Sequence, residues 1–350
     1  MAAARGTIFI TGANGGLGSA IVEQIASKPE LSAYHGLYTI RGATPAAAPA
    51  LASVLARGDA SHPHDILSLD LTNLDNVRQV AEGINVRVAA GEIPPIRALI
   101  LNAGFQDFGS QSWTPAGLDV TFAANYLGHW LLTLLLLESM DKQAGKIVLI
   151  GSQGHDPNDP RNARGGAFKE ERYKELVHDG ASFEAIAKGT WSPATEEAGF
   201  RGGFRRYGAA KLFLIMMMHE LQRRIDQDAA IKNICVLGVD PGTMITGLQR
   251  LAPWFIRVVI FQVIYPIIVY MFPNGSTVRT PQKSAFDVLE VTFSTDLGGG
   301  KLPKDLYFIG TQPLETSAES RDAHKQQLVW RETVKLTNLK ENDTILGNWQ

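Results

Sequence analysis

Through the first two-thirds of the chain, short apolar runs alternate with stretches whose apolar positions recur every three to four residues. The runs at 7–11 (TIFIT), 36–40 (GLYTI), 65–72 (DILSLDLT), 97–104, 146–152 and 233–242 read as strands. The periodic stretches at 18–27, 73–84, 121–140 and 207–225 read as helices. Strands that are apolar along their whole length, with a helix between each pair, predict an α/β fold. Its parallel sheet is doubly wound and has helices on both faces.

Three regions depart from this rhythm. Residues 42–53 (GATPAAAPALAS) are rich in Ala and Pro and read as a surface loop. Residues 153–206 hold equal numbers of acidic and basic side chains and many glycines, and read as an insertion with short helices at 169–179 and 182–189. Residues 251–272 (LAPWFIRVVIFQVIYPIIVYMF) are strongly apolar. Beyond them, 280–293 reads as a late helix, 305–310 as a last strand and 319–337 as a C-terminal helix. No internal repeat or linker divides the chain, so 1–350 is expected to be one domain with a core over about 5–310 and a helical extension at 311–350.

Composition narrows the function classes. The apolar fraction of 45% and charged fraction of 19% suit a chain that buries a large core. A net charge of −2 with no long basic run gives no reason to expect nucleic acid. Cys235 is the only cysteine and sits in an apolar run, which excludes an internal disulfide and reads as a core thiol. The histidines of SHPH (61–64) have no companion ligand cluster, so they read as a polar loop and no metal site is expected. The N-terminus enters a strand almost at once, leaving no room for a signal peptide, so an intracellular, cytoplasmic protein is expected.

Chemistry first shows in TGANGGLG (11–18), between the first strand and the first helix. Gly12, Gly16 and Gly18 let the backbone turn tightly and approach a pyrophosphate, whose charge then meets the helix N-terminus. This predicts dinucleotide binding. The second strand ends without the acidic residue that would bond a ribose 2′-hydroxyl, and Arg41 stands there instead. A guanidinium pairs well with a 2′-phosphate, so NADP(H) is expected ahead of NAD(H). Asp70, at the end of the third strand, is placed to accept a bond from an adenine amino group. Tyr207 and Lys211, in YGAAK, lie one helical turn apart and share a face.

TGANGGLG, LNAG (101–104), NYLG (125–128), IGS (150–152), YGAAK (207–211) and DPG (240–242) fall in the order of the short-chain dehydrogenase/reductase family. The chain resembles that family over roughly 5–310, and in particular its retinol-dehydrogenase-like branch and fungal members active in secondary metabolism. The resemblance implies a Rossmann-like fold and a catalytic tetrad of Asn125, Ser152, Tyr207 and Lys211. Tyr207 would exchange a proton with the substrate, and Lys211 would lower its pKa and bond the nicotinamide ribose. Ser152 would hydrogen-bond the substrate oxygen, and Asn125 would hold a water leading from Lys211 to solvent. Thr11, Asn14 and Leu17 join the glycines in the implied cofactor set, with Leu71, Asn102, Ala103 and Gly104 along the adenosine side. Pro241, Gly242, Thr243 and Thr246 would wrap the nicotinamide and diphosphate. His129 reads as a packed helix residue, and His155 stays outside the catalytic set.

The sequence departs from the family in two places. Ser152 and Tyr207 are 55 residues apart, far more than is usual there. An insertion feeding the Tyr/Lys helix would cover the face on which the family dimerises, so a monomer is expected over a homodimer. The apolar run at 251–272 falls where the family places its substrate lid. It is about long enough to span a bilayer, but Arg257, Gln262 and Pro266 interrupt it within the catalytic fold. A lid over a bulky apolar or aromatic carbonyl or alcohol is expected, with membrane contact at most peripheral, on an intracellular membrane. The rival readings keep the fold but change the reaction to dehydration or enoyl reduction, or make the chain a non-enzymatic dinucleotide sensor.

Overall fold

A computed structural model describes residues 4–42, 47–244, 277–294 and 302–350, with Leu251, Tyr265, Met271 and Leu297 besides. Thr246 and nearly all of the expected lid at 251–272 lie outside the described residues. Among those described, the chain runs β1 (Thr7–Ile10), α1 (Gly16–Ser27), α2 (Pro29–Ser32), β2 (His35–Ile40), α3 (Pro49–Arg57), β3 (His64–Ser68), α4 (Leu74–Ala89) and β4 (Ile96–Leu101). It continues with α5 (Val120–Phe122), α6 (Gly128–Leu136), β5 (Lys146–Ile150), α7 (Gly180–Ala187), α8 (Phe200–Gln227), β6 (Cys235–Asp240), α9 (Pro281–Phe293), β7 (Leu306–Ile309), β8 (Gln312–Pro313) and α10 (Ala323–Thr337).

The strands form one sheet in the order β3-β2-β1-β4-β5-β6-β7-β8. Every pairing is parallel except the short β7–β8 edge, which is antiparallel. Alternate side chains feed two cores. Ile8, Ile10, Ile100 and Val148 pack with α1, α3 and α9, while Phe9, Leu99, Leu101 and Ile147 pack with α4, α6, α8 and α10. This is the doubly wound, Rossmann-like α/β fold. The strand order reverses between β1 and β4, so a crevice opens beyond their C-terminal ends, the place where such sheets bind ligands.

Four readings of the local pattern are corrected. The stretch at 42–53 is not all loop, because α3 begins at Pro49. Proline suits the first turn of a helix, and Asn14 Oδ1 accepts the N–H groups of Ala50 (3.1 Å) and Leu51 (3.2 Å). The helix expected over 121–140 is broken by a π-turn at Ala123–Leu127. Asn125 Nδ2 donates to Thr121 O at 2.7 Å, taking a carbonyl from the helical ladder, and Gly128 N–H reaches five residues back to Ala123 O. Only a 3₁₀ turn, Glu171–Tyr173, forms in 169–179, because the Tyr173 ring is held between Trp191 (5.3 Å) and the Arg205 guanidinium (4.0 Å). SHPH is not a free polar loop, since His62 is buried and bonded to the Tyr38 hydroxyl (2.8 Å) and Ser32 O (2.9 Å).

The C-terminal extension covers the outer face of α6 and α8. Trp330 meets Trp130 edge-on at 5.1 Å, and the Tyr126 hydroxyl bonds Thr333 Oγ1 at 2.7 Å. The Arg224 guanidinium lies 4.5 Å over Trp330 and donates to Gln350 O at 2.6 Å. Glu319 accepts the N–H groups of Leu176 and Val177, tying the extension to the insertion.

Candidate active site

A cavity of about 710 Å³ opens at the crevice and runs from β2 past the β1–α1 turn to the N-terminal half of α8. At its phosphate end Gly12 has φ +67°, and a Cβ there would stand 2.9 Å from Ala103 Cα. A Cβ on Gly18 would stand 2.3 Å from Gly12 O. Only glycine fits either place. Asn102 Nδ2 donates to Thr11 O (2.8 Å) and Gly12 O (3.2 Å), joining the β4 loop to the turn. Helix α1 has Gly15 as its N-cap, with no capping side chain and no acid in its first turn. Its N–H groups therefore face the cavity with their positive end uncompensated, which fits a diphosphate.

Most of the expected cofactor set lines this cavity: Gly12, Asn14, Gly16, Leu17, Gly18 and Arg41 on one side, with Asp70, Leu71, Asn102, Ala103 and Gly104 beside them. Pro241, Gly242 and Thr243 line its other end. Thr11 does not line it. That residue is fully buried beneath the turn, where its hydroxyl accepts from Ala103 N–H (2.9 Å) and bonds His129 Nε2 (3.0 Å). The Arg41 side chain is exposed, with no hydrogen bond or ion pair among the described residues, at the open rim beside Asp70. Asp70 Oδ1 is occupied by the N–H (2.9 Å) and hydroxyl (2.7 Å) of Thr72.

Ser152, Tyr207 and Lys211 converge on the far end, from β5 and α8. Burial raises the Tyr207 phenol above its ordinary value, with a hydrogen bond to Ser152 opposing. Burial, rather than the neighbouring ammonium, sets the direction of this shift. The Lys211 ammonium lies 5.6 Å from the Tyr207 ring centroid and donates to Ile150 O at 2.8 Å. Burial lowers Lys211 to about 8, with Asp240 opposing. Ser152 Oγ accepts from Gly154 N–H (3.1 Å), so its own proton is directed at Tyr207 and the cavity. Asn125 lies behind the cavity wall. Its side chain donates to Phe105 O and Thr121 O (both 2.7 Å) and accepts from Phe105 N–H (3.0 Å), so a relay water would share its main-chain oxygen with His129 Nδ1, 3.3 Å away.

Other residues at this end come from long-range packing. Arg161, in the insertion, donates to Asp240 at 2.9 Å and forks onto Asp159, and both Arg161 and Asp240 line the cavity. Phe105 and Phe108 from the β4 loop, and Phe200 and Phe204 from α8, line it too. Sequence reasoning missed these. The one available signal was the spacing of Phe200, Phe204 and Tyr207, which share a helix face once the helix is known to begin at Phe200. His155 is buried away from the cavity, with Nδ1 on Ser152 O (2.6 Å) and Nε2 facing Ser317 N–H (3.2 Å). His129 is also fully buried and held neutral, lowered to about 3 by burial and the nearby Lys211. Cys235 is a buried free thiol, and no cluster of three or more His, Cys, Asp or Glu fit for a metal occurs among the described residues.

A glycine-rich β1–α1 turn at the switch point of a doubly wound sheet, opening onto a buried phenol and ammonium, defines a nicotinamide-dinucleotide oxidoreductase. The short chain dehydrogenase model matches residues 6–163. The chain is 40% identical to the short-chain dehydrogenase iccH of Talaromyces variabilis, over 99% of both proteins. It is 26% identical to the chloroplastic protochlorophyllide reductase of Pisum sativum, over 96% of this chain and 78% of that protein. A short-chain dehydrogenase/reductase structure from Serratia marcescens superposes with a TM-score of 0.56 at 16% identity, covering 87% of this chain and 96% of that one. The chain belongs to the short-chain dehydrogenase family.

Proposed function

We propose that the protein is an NADP(H)-dependent reductase of a carbonyl group on a bulky apolar or aromatic compound. The observation that carries this reading is geometric: Ser152, Tyr207 and Lys211 converge on one end of the dinucleotide cleft. A phenol carries its proton at neutral pH and so can give it to a carbonyl oxygen, the requirement of reduction.

Arg41 and the N-terminus of α1 would hold the phosphates, and Lys211 the ribose hydroxyls beside the reacting ring. NADPH held there would supply the hydride for the carbonyl carbon. Ser152 donates to the carbonyl oxygen and steadies its growing charge, and Tyr207 delivers the proton. The Lys211 ammonium, buried nearby, favours the phenolate left behind. Asn125 acts by position, holding the Phe105 backbone and the π-turn that leads into α6.

We read the protein as a cytoplasmic monomer in a fungal biosynthetic setting, all 350 residues serving one domain. The helical stretch Val120–Ser139 has the length and composition to cross a membrane but is 89% buried, which supports a core role for it. Recovery in the membrane fraction after a high-salt wash would count against this placement. The test of the activity is NADPH consumption over a panel of ketones, aldehydes and quinones, with Tyr207→Phe run in parallel. Turnover that falls by about 10²- to 10⁴-fold in the variant supports the reading, whereas equal turnover in the two proteins removes it.

A further inference from the structure

We propose that the segment inserted ahead of Tyr207 builds a subsite for a planar aromatic ring, and that the substrate is an aromatic carbonyl compound rather than an aliphatic one. The inference rests on the reductase reading and narrows its substrate.

Helix α8 begins at Phe200, seven residues before Tyr207 and inside the inserted segment. Positions 200, 204 and 207 then fall on one face. The Phe200 and Phe204 rings lie parallel, 5.3 Å apart with an interplanar angle of 20°. Phe204 is 6.2 Å from the Tyr207 ring. Phe108, from the opposite loop, stands 6.0 Å from Phe200. Three phenylalanine rings thus stand beside the reacting phenol, and all four residues line the cavity.

Phe204 also packs on Phe168 of the insertion, 5.9 Å from ring to ring, and two further observations give this wall a side that faces a ligand. Every other apolar side chain of α8 is buried, and only Phe200 and Phe204 are left partly open, both onto the cavity. Phe108 is held at φ +51°, a conformation rare for a bulky residue. The loop is fixed there by Asp107, which accepts from Gly109 N–H (2.6 Å) and takes a fork from Arg206 (2.8 Å to each oxygen). Arg206 is the chain neighbour of Tyr207, so the clamp aligns ring wall and phenol together. Backbone strain of this kind is found where a site has to be shaped. An alkyl group laid on this wall gains only its buried area, while a flat ring also gains the offset and edge-on contacts that aromatic pairs favour.

The test is isothermal titration of the NADP-loaded protein with 2-acetylnaphthalene and with its fully saturated decahydro counterpart. The same pair is titrated into Phe200→Leu/Phe204→Leu, which keeps the wall apolar but removes its rings. The wild type is expected to bind the aromatic ketone about tenfold more tightly than the saturated one, and the double variant to bring that ratio within about twofold, with NADPH affinity unchanged. A ratio below about twofold in the wild type, or a tenfold ratio retained in the variant, overturns the proposal. If the double variant does not fold, Phe200→Leu alone, at the first residue of the helix, is expected to lower the ratio about threefold, and an unchanged ratio there overturns it as well. Binding is read without turnover. Ring preference without Tyr207-dependent reduction would therefore sink the reductase reading alone, and Tyr207-dependent reduction without ring preference would sink the subsite alone.

Discussion

Replacing Arg206 with methionine leaves the Asp107 carboxylate buried without its cation. Asp107 and Arg206 are 1% and 4% exposed, and the guanidinium forks onto both carboxylate oxygens at 2.8 Å. Arg206 also bonds Ser192 O and lies 3.8 Å from Asp119. Removing one partner of a pair this deeply buried costs about 3–5 kcal/mol, because the remaining charge keeps its desolvation penalty. For a chain of 350 residues the entropy of unfolding near the midpoint is about 0.7 kcal/mol per kelvin, so the variant should melt about 4–7 °C below the wild type. Differential scanning calorimetry without cofactor measures this directly. The double variant Asp107→Leu/Arg206→Met, which removes both charges, should recover part of the loss. An Arg206→Met protein melting within 1 °C of wild type would refute the argument that this pair holds the β4 loop against α8.

Arg41→Ala should weaken NADPH binding about ten- to a hundredfold while leaving NADH nearly unchanged, as read by fluorescence titration; equal losses for both would remove Arg41 from the 2′-phosphate site. Because Lys211 titrates near 8, below its ordinary 10.5, its charge is lost as pH rises through about 8, and kcat/KM for reduction should fall above that value. The same shift makes the buried ammonium a cost to stability, fully present below about 8 and relieved between there and 10.5, so a pH series of melting temperatures gives a second check. Sedimentation equilibrium should give the single-chain mass of 38.1 kDa, since α10 occupies the face of α6 and α8 that a second copy would need. Removal of residues 315–350 should uncover Trp130 and Tyr126 and yield dimers or aggregates, and a truncated protein that stays a stable monomer would contradict that role.

The elements legible in the sequence are those set by local rules. Alternation of apolar runs and helical spacing marked β1, β2, β4, β5, β6 and α8, because the period of a strand or helix is written into neighbouring residues. The glycine turn was legible because Gly12 and Gly18 answer a constraint inside one strand–turn–helix unit, where a Cβ would strike the backbone of the same unit or of Ala103. Lengths and breaks were less legible. The π-turn at Asn125 depends on a side chain competing for Thr121 O, and α3 depends on a cap supplied by Asn14. That burial opposes the cation at Tyr207 was not legible, because it depends on how completely the phenol is enclosed, which no spacing reports.

The sequence by itself therefore determined the fold class, the order of the motifs and the family, since each of these is carried by short segments whose residues constrain one another. Only the tertiary structure decided what surrounds the reacting end. Arg161 meets Asp240, Asp107 meets Arg206, Phe108 faces Phe200 and Trp330 covers Trp130 across long separations in the chain. Such contacts depend on which surfaces remain to be buried once the sheet has formed, a property of the packed whole that no local pattern encodes.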